Sequence, residues 1–238
     1  MSRNIVIIGA SGTIGSSLVN IYKKNSANQV YAFSRGYNYQ RDANLIMDDI
    51  DILDEESMQK IVKKYFTDSS IDILIIATGL LHNEIIFPEK SIREISLKKF
   101  QTVFNINTFA PALIFKHFFN SISREKKSVF AAFSARVGSI SDNKIGGWHS
   151  YRASKSALNM IIKNFSIEIS RKYKNNIIVG LHPGTVDSKL SKPFQKNVPT
   201  EKLFSGEYSA LKIVKVLDSL SIQDTGKCFD FNSLEVFP

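Results

Sequence analysis

The stretch "NIVIIGASGTIGSSL", residues 4–18, decides the fold. Its first half is a β-branched run, apolar on both faces, as strands buried in a parallel sheet are. Its second half carries Gly9, Gly12 and Gly15 and opens a helical period through Ile14, Leu18, Ile21 and Tyr22. Glycines between a strand and a helix have separate uses: a tight turn, close approach of the backbone to a pyrophosphate, and close helix–strand packing. The helix N-terminus then offers unpaired N–H groups and partial positive charge to an anion. With the hydroxyls of Ser11 and Thr13 beside them, Gly9, Ser11, Gly12, Thr13, Ile14 and Gly15 are expected to hold a dinucleotide.

Working outward, the same alternation recurs. "QVYAFS" (29–34), "IDILIIA" (71–77), "SVFAAFS" (128–134) and "NIIVGLH" (176–182) read as strands. Between them, one helical stripe runs from Phe100 through Val103, Phe104, Pro111, Ile114 and Phe115 to Phe118, with Asn107 on the same face. Another joins Ala157, Leu158, Ile161, Ile162, Phe165 and Ile169. This alternation predicts an α/β fold: a Rossmann-type, doubly wound, mostly parallel sheet with helices on both faces. At 238 residues, with no repeat or linker-like stretch, one domain over 1–238 is expected.

Composition narrows the function. The net charge of +9 suits a phosphate backbone. The basic residues, however, sit in short mixed clusters such as "REKK" (124–127) and "RKYKNN" (171–176), without a nucleic-acid motif, so no nucleic-acid partner is expected. No apolar run reaches the ~18 residues of a membrane span, so no membrane association is expected. The first residues lack a signal-peptide pattern, and a lone cysteine excludes an intrachain disulfide framework, so a cytoplasmic location is expected.

The end of the second strand speaks to the choice of dinucleotide. An acidic residue there would accept from the ribose 2′-hydroxyl of NAD. "AFSRG" has Ser34 in that place and Arg35 next, and an arginine can pair with a 2′-phosphate, so NADP(H) is expected over NAD(H).

"SYRASKSALNM" (150–160) sets Tyr151 and Lys155 one helical turn apart on one face. A phenol titrates near pH ~10, and a cation within ~4–6 Å lowers that value, which would ready it for proton exchange at neutrality. The three donors of Lys155 can also hold ribose hydroxyls. Asn107, an amide on an apolar stripe, needs hydrogen-bond partners.

Taken with the glycine turn, these residues resemble the short-chain dehydrogenase/reductase (SDR) superfamily, in its single-domain branch, over essentially the whole chain. "GASGTIG", "DILDEES", "FNINTFAP", "SARVGSI…YRASK" and "HPGTVDSKL" match in order. "SARVGSISDNKIGGWHSYRASKSALN" and "TGKCFDF" are most similar to the carbonyl reductases grouped with Sniffer and the bacterial C-factor proteins. The resemblance implies that Tyr151 is the general acid, that Lys155 tunes it and binds ribose, and that Asn107 holds a water leading to Lys155. It places Asp51 and Ile52 at adenine, and Ala77, Thr78 and Gly79 beside the cofactor. Pro183, Gly184, Val186 and Ser188 would face the nicotinamide.

Two departures stand out. The glycine spacing is that of larger members. The family's carbonyl-polarising serine is Ala135 here, leaving Ser134 and Ser139 as the nearby hydroxyls; Ser134 is taken, with a local bend required to aim it. Four histidines show no metal-ligand spacing. Trp148 and His149 are open to two readings, as substrate-mouth lining or as helix-start packing. The loop "SKLSKPFQKNVPTEKLFSGE" (188–207) is polar and basic, hinting at accessible or acidic substrates. The resemblance implies an NADP(H)-dependent reductase of a small aldehyde or ketone that self-associates as a dimer or tetramer. Its alternative is a weakly catalytic signalling or redox-sensing protein of C-factor type.

Overall fold

The computed structural model describes residues 2–238. In chain order the elements are β1 (Asn4–Ile8), α1 (Thr13–Lys23), β2 (Gln29–Phe33), β3 (Gln40–Asp42), β4 (Leu45–Asp48), α2 (Glu55–Tyr65), β5 (Ile73–Ile76), α3 (Leu97–Phe104) and α4 (Ala110–Phe118). They continue with β6 (Ser128–Phe133), α5 (His149–Ser170), β7 (Asn176–His182), β8 (Thr185–Val186), β9 (Leu203–Phe204), α6 (Gly206–Ser219) and β10 (Cys228–Asp230). Eight strands form one sheet in the order β10-β7-β6-β5-β1-β2-β4-β3. Among the described residues of that sheet, only β3 runs antiparallel to its neighbour. The doubly wound, Rossmann-type architecture predicted from the glycine turn is present.

β1 shows why its sequence is apolar throughout. Ile5 and Ile7 enter the core beneath α1 and α6, whereas Val6 and Ile8 enter the core beneath α2, α4 and α5. Successive side chains alternate, and both faces are covered. Each of the wholly buried large side chains, among them Phe33, Leu74 and Phe118, contributes roughly 1.5–3 kcal/mol. Local chemistry sets helix ends: the Asp54 side chain accepts from the Glu56 amide at the start of α2, whose last turn carries Lys63 and Lys64.

Two features depart from the pattern read in sequence. The short strands β3, β4 and β10 extend the sheet beyond the five strands expected. The long stripe ending at Phe118 is not one regular helix, because a π-helical turn at Asn105–Phe109 separates α3 from α4. Such a turn inserts a residue and rotates the helix beyond it, a device concentrated at functional sites.

Topology sets the position of the site. From β1 the chain winds outward through β2 and β4, then crosses to β5 on the other side of β1. That reversal opens a crevice beyond the carboxyl ends of β1 and β5.

Candidate active site

Gly9 leaves β1 with φ of 87°, and its amide donates to the Phe33 carbonyl at 2.9 Å, joining the turn to the end of β2. A Cβ on Gly15 would lie 2.2 Å from the Gly9 oxygen, so only glycine allows this approach. Gly12 is the N-cap of α1 and no side chain caps the helix, which leaves its first amides free for an anion.

At the end of β2 the Ser11 and Ser34 hydroxyls are hydrogen-bonded at 2.6 Å. Arg35 is exposed and forms no ion pair among the described residues. One carboxylate does reach this corner: Asp49 accepts from the Gly36 amide at 2.6 Å. Asp51 turns its carboxylate back to the Leu53 amide, and Ile52 packs against the core. Thr13 and Ile14 occupy the first turn of α1.

From the glycine turn the path runs along β5. A Cβ on Gly9 would sit 2.8 Å from Thr78 Cγ2 and 3.0 Å from the Ala77 carbonyl carbon. The Thr78 hydroxyl is buried without a partner, a polar atom left for a ligand. Gly79 comes next. A Cβ there would lie 3.8 Å from both Asn107 Oδ1 and Lys155 Nζ, so Gly79 at the end of β5 stands directly beside the Tyr-Lys helix. Opposite, Gly184 has φ of 80° and Pro183 accepts from the Ser209 hydroxyl. Val186 is buried, its carbonyl taking the Ser191 hydroxyl, and the Ser188 amide donates to the same residue.

α5 brings Tyr151 and Lys155 to the Gly79 end of the sheet, 7% and 2% exposed. Lys155 Nζ donates to the Phe133 carbonyl at 2.7 Å and stands 5.8 Å from the Tyr151 ring centroid. Tyr151 Oη takes no hydrogen bond among the described residues. The electrostatics reverse the expectation drawn from spacing. Burial pushes the Tyr151 phenol up to about 12, and burial brings Lys155 down to about 8. Without ligand, desolvation outweighs the pull of the neighbouring ammonium.

Asn107 finds the partners its position demands. Its Oδ1 accepts from the Leu80 amide at 2.7 Å, and its Nδ2 donates to the Leu80 carbonyl at 2.8 Å and to the Ser154 hydroxyl at 3.1 Å. The side chain is thus committed to tying the loop after β5 to α5.

Ser134, the hydroxyl taken for the polarising role, is engaged: its Oγ donates to Asn159 Oδ1 at 2.6 Å, while Ala135 packs in the apolar cluster with Tyr151. The Ser139 hydroxyl is likewise engaged, by the Asp142 amide and Ser141.

Sequence reasoning missed most of the lining. Leu81, Ile86, Val103, Leu190 and Phe194 share one apolar cluster with Tyr151 and with Trp148, the one member that the sequence offered as a lining residue. Trp148 meets the Tyr151 ring edge-on at 6.2 Å and Phe194 at 5.0 Å, and His82 meets Phe194 at 5.5 Å. The 188–207 loop therefore turns Leu190 and Phe194 inward, so its polar average misleads about the site. A cleft of about 700 Å³ opens beside Gly79, His82, Phe87 and Leu190. His182 is half-buried, and desolvation drives it down to about 4, hence neutral at pH 7. No metal-ligand cluster occurs among the described residues, and none of the helices described there is long and apolar enough to cross a membrane.

A family model described as short chain dehydrogenase matches residues 3–199. The C-signal protein of Myxococcus xanthus is 28% identical over 133 residues, 56% of this chain and 75% of that protein. A 1-hydroxy-2-glutathionyl-2-methyl-3-butene dehydrogenase of Rhodococcus sp. (strain AD45) is 37% identical over 95 residues, 40% of this chain but only 39% of the relative. Among solved structures, an NADPH-bound carbonyl reductase from chicken fatty liver superposes with a TM-score of 0.86 at 24% identity, covering 100% of this chain and 99% of that one. The carbonyl reductase Sniffer of D. melanogaster gives 0.85 at 19% identity, covering 100% of both chains; likeness at these identities speaks for the fold. The family match spans the glycine turn, the β5 end and the Tyr151–Lys155 turn alike, and from this we conclude that the chain belongs to the short-chain dehydrogenase/reductase superfamily.

Proposed function

We propose that the protein is an NADP(H)-dependent oxidoreductase that reduces the carbonyl of a small aldehyde or ketone. The observation that carries this reading is an unbonded, nearly buried phenol beside a buried ammonium that lies next to Gly79 at the end of β5. Free amides at the start of α1, the orphaned Thr78 hydroxyl and an unpaired Arg35 suit a pyridine dinucleotide carrying a 2′-phosphate. Bound there, its reduced nicotinamide supplies a hydride. Tyr151 Oη donates a proton to the carbonyl oxygen. Lys155 uses one donor on Phe133 and keeps two for ribose hydroxyls. Asn107 holds Leu80, and with it Gly79, at a fixed distance from Lys155. The apolar shell around Tyr151 keeps water from the developing alkoxide and favours an apolar group on the substrate. Burial keeps the Tyr151 phenol in its protonated form, the form that can donate to a carbonyl oxygen.

Ala135 supports a second reading, a nucleotide-binding signalling or redox-sensing protein of C-factor type with slow turnover. Consumption of NADPH with a panel of aldehydes and ketones, beside NADH and beside Tyr151→Phe, separates the two. Steady turnover abolished by the substitution supports the reductase. Tight NADPH binding with no turnover of any carbonyl supports the second.

A further inference from the structure

Glu89 is 0% exposed, and the chemistry above does not use it. It ends the stretch that leaves β5 through Gly79, His82 and Phe87. Its Oε2 accepts from the Ser150 amide at 3.1 Å and the Ser150 hydroxyl at 3.0 Å, and its backbone carbonyl accepts from the Trp148 amide. Trp148, the N-cap of α5, contributes no side-chain cap, so the carboxylate of a distant segment caps the helix instead.

The chain takes an unusual route to reach that carboxylate. Gly146, Gly147 and Trp148 are all left-handed, with φ of 69°, 66° and 49°. A Cβ on Gly147 would lie 3.4 Å from the Glu89 carbonyl oxygen. A bulky residue at positive φ is strained, and such strain persists only where its surroundings over-determine it. The contacts from Glu89 supply that determination, and Tyr151 is the residue after Ser150.

We propose that Glu89 is a positioning residue for Tyr151, fastening the substrate-side loop to the first turn of the helix that carries the phenol. The inference rests on Tyr151 acting as the acid, so the test includes a readout independent of turnover. Trp148 is the sole tryptophan of the chain and packs on Tyr151, so its emission reports the geometry of this turn.

Glu89→Ala and Glu89→Gln are compared with wild type for kcat and KM of a carbonyl, for NADPH affinity and for Trp148 emission. The expected result for Glu89→Ala is a fall in kcat of about tenfold or more, NADPH affinity unchanged within about twofold, and red-shifted emission. Glu89→Gln keeps an acceptor for Ser150 and restores both kcat and emission. Wild-type kcat in Glu89→Ala, equal losses of kcat and NADPH affinity, or no rescue by glutamine overturns the proposal. If the alanine variant fails to fold, Glu89→Asp, which withdraws the carboxylate by one methylene, takes its place with the same expectations. If wild type reduces no carbonyl, the reductase reading falls. The emission shift and its reversal by glutamine then decide the positioning role, and unchanged emission overturns it.

Discussion

Replacing Ala135 with serine asks whether the missing hydroxyl limits this site. Residue 135 is extended, with φ of −155° and ψ of 148°, and packs in the cluster around Tyr151, so serine fits its backbone without strain. A donor aimed at a developing oxyanion is worth ~3 kcal/mol of transition-state stabilisation. Placing a hydroxyl among apolar neighbours costs ~1 kcal/mol on the lower scales, but that cost is already present in the ground state and is read in stability, not in kcat. The ~3 kcal/mol therefore corresponds to a rise in kcat of roughly 100-fold, since ~1.4 kcal/mol is tenfold. The assay is kcat for NADPH consumption in wild type and Ala135→Ser, each also in the Tyr151→Phe background, where the gain should vanish. An Ala135→Ser enzyme within twofold of wild type, with its hydroxyl seen facing the cleft, would refute the reasoning.

Ser134→Ala should leave kcat within about twofold, while the unpaired Asn159 Oδ1 lowers stability by about 1–3 kcal/mol, measured by denaturant melts. Lys155→Met tests the burial of the ammonium. Because burial holds Lys155 at about 8, below its ordinary 10.5, the unfolded chain binds the extra proton between those values. The folded wild type therefore bears the full penalty below pH 8, and the methionine variant should be more stable there by about 3 kcal/mol, the gap closing as pH rises to 10.5. Paired melts across that range check it, and a gap independent of pH contradicts it. Arg35→Asp should raise KM for NADPH at least tenfold and improve NADH use, because one charged hydrogen bond is worth ~1.5–3 kcal/mol.

The fold is legible in the sequence because its decisive signals are local. The glycine turn sits between a β-branched run and an amphipathic period, and both survive in β1 and α1. β4 is silent in the sequence because four residues ending in an aspartate carry no periodic signal, and they become a strand only by pairing with β2. The pairing of Tyr151 with Lys155 follows from helical spacing. The direction of their titration does not, since spacing encodes proximity, whereas Tyr151 is buried in a cluster with Leu81, Ile86 and Val103 from distant parts of the chain. For Ser134 the sequence supplies the hydroxyl but not its partner, Asn159, which lies 25 residues on. Asn107 is recognisable as an amide among apolar residues, whereas its partner Leu80 offers only backbone and leaves no trace in side-chain chemistry.

That last pairing has a consequence for how the molecule diversifies. By gripping both the amide and the carbonyl of Leu80, Asn107 acts as a one-residue strand that stops the segment after β5 from sliding. Whatever lies before Leu80 is anchored to the dinucleotide side, and the stretch between Leu81 and Glu89 can change length and shape between two fixed points. New specificities can accumulate on one side of that pin while the hydride machinery on the other side stays in register.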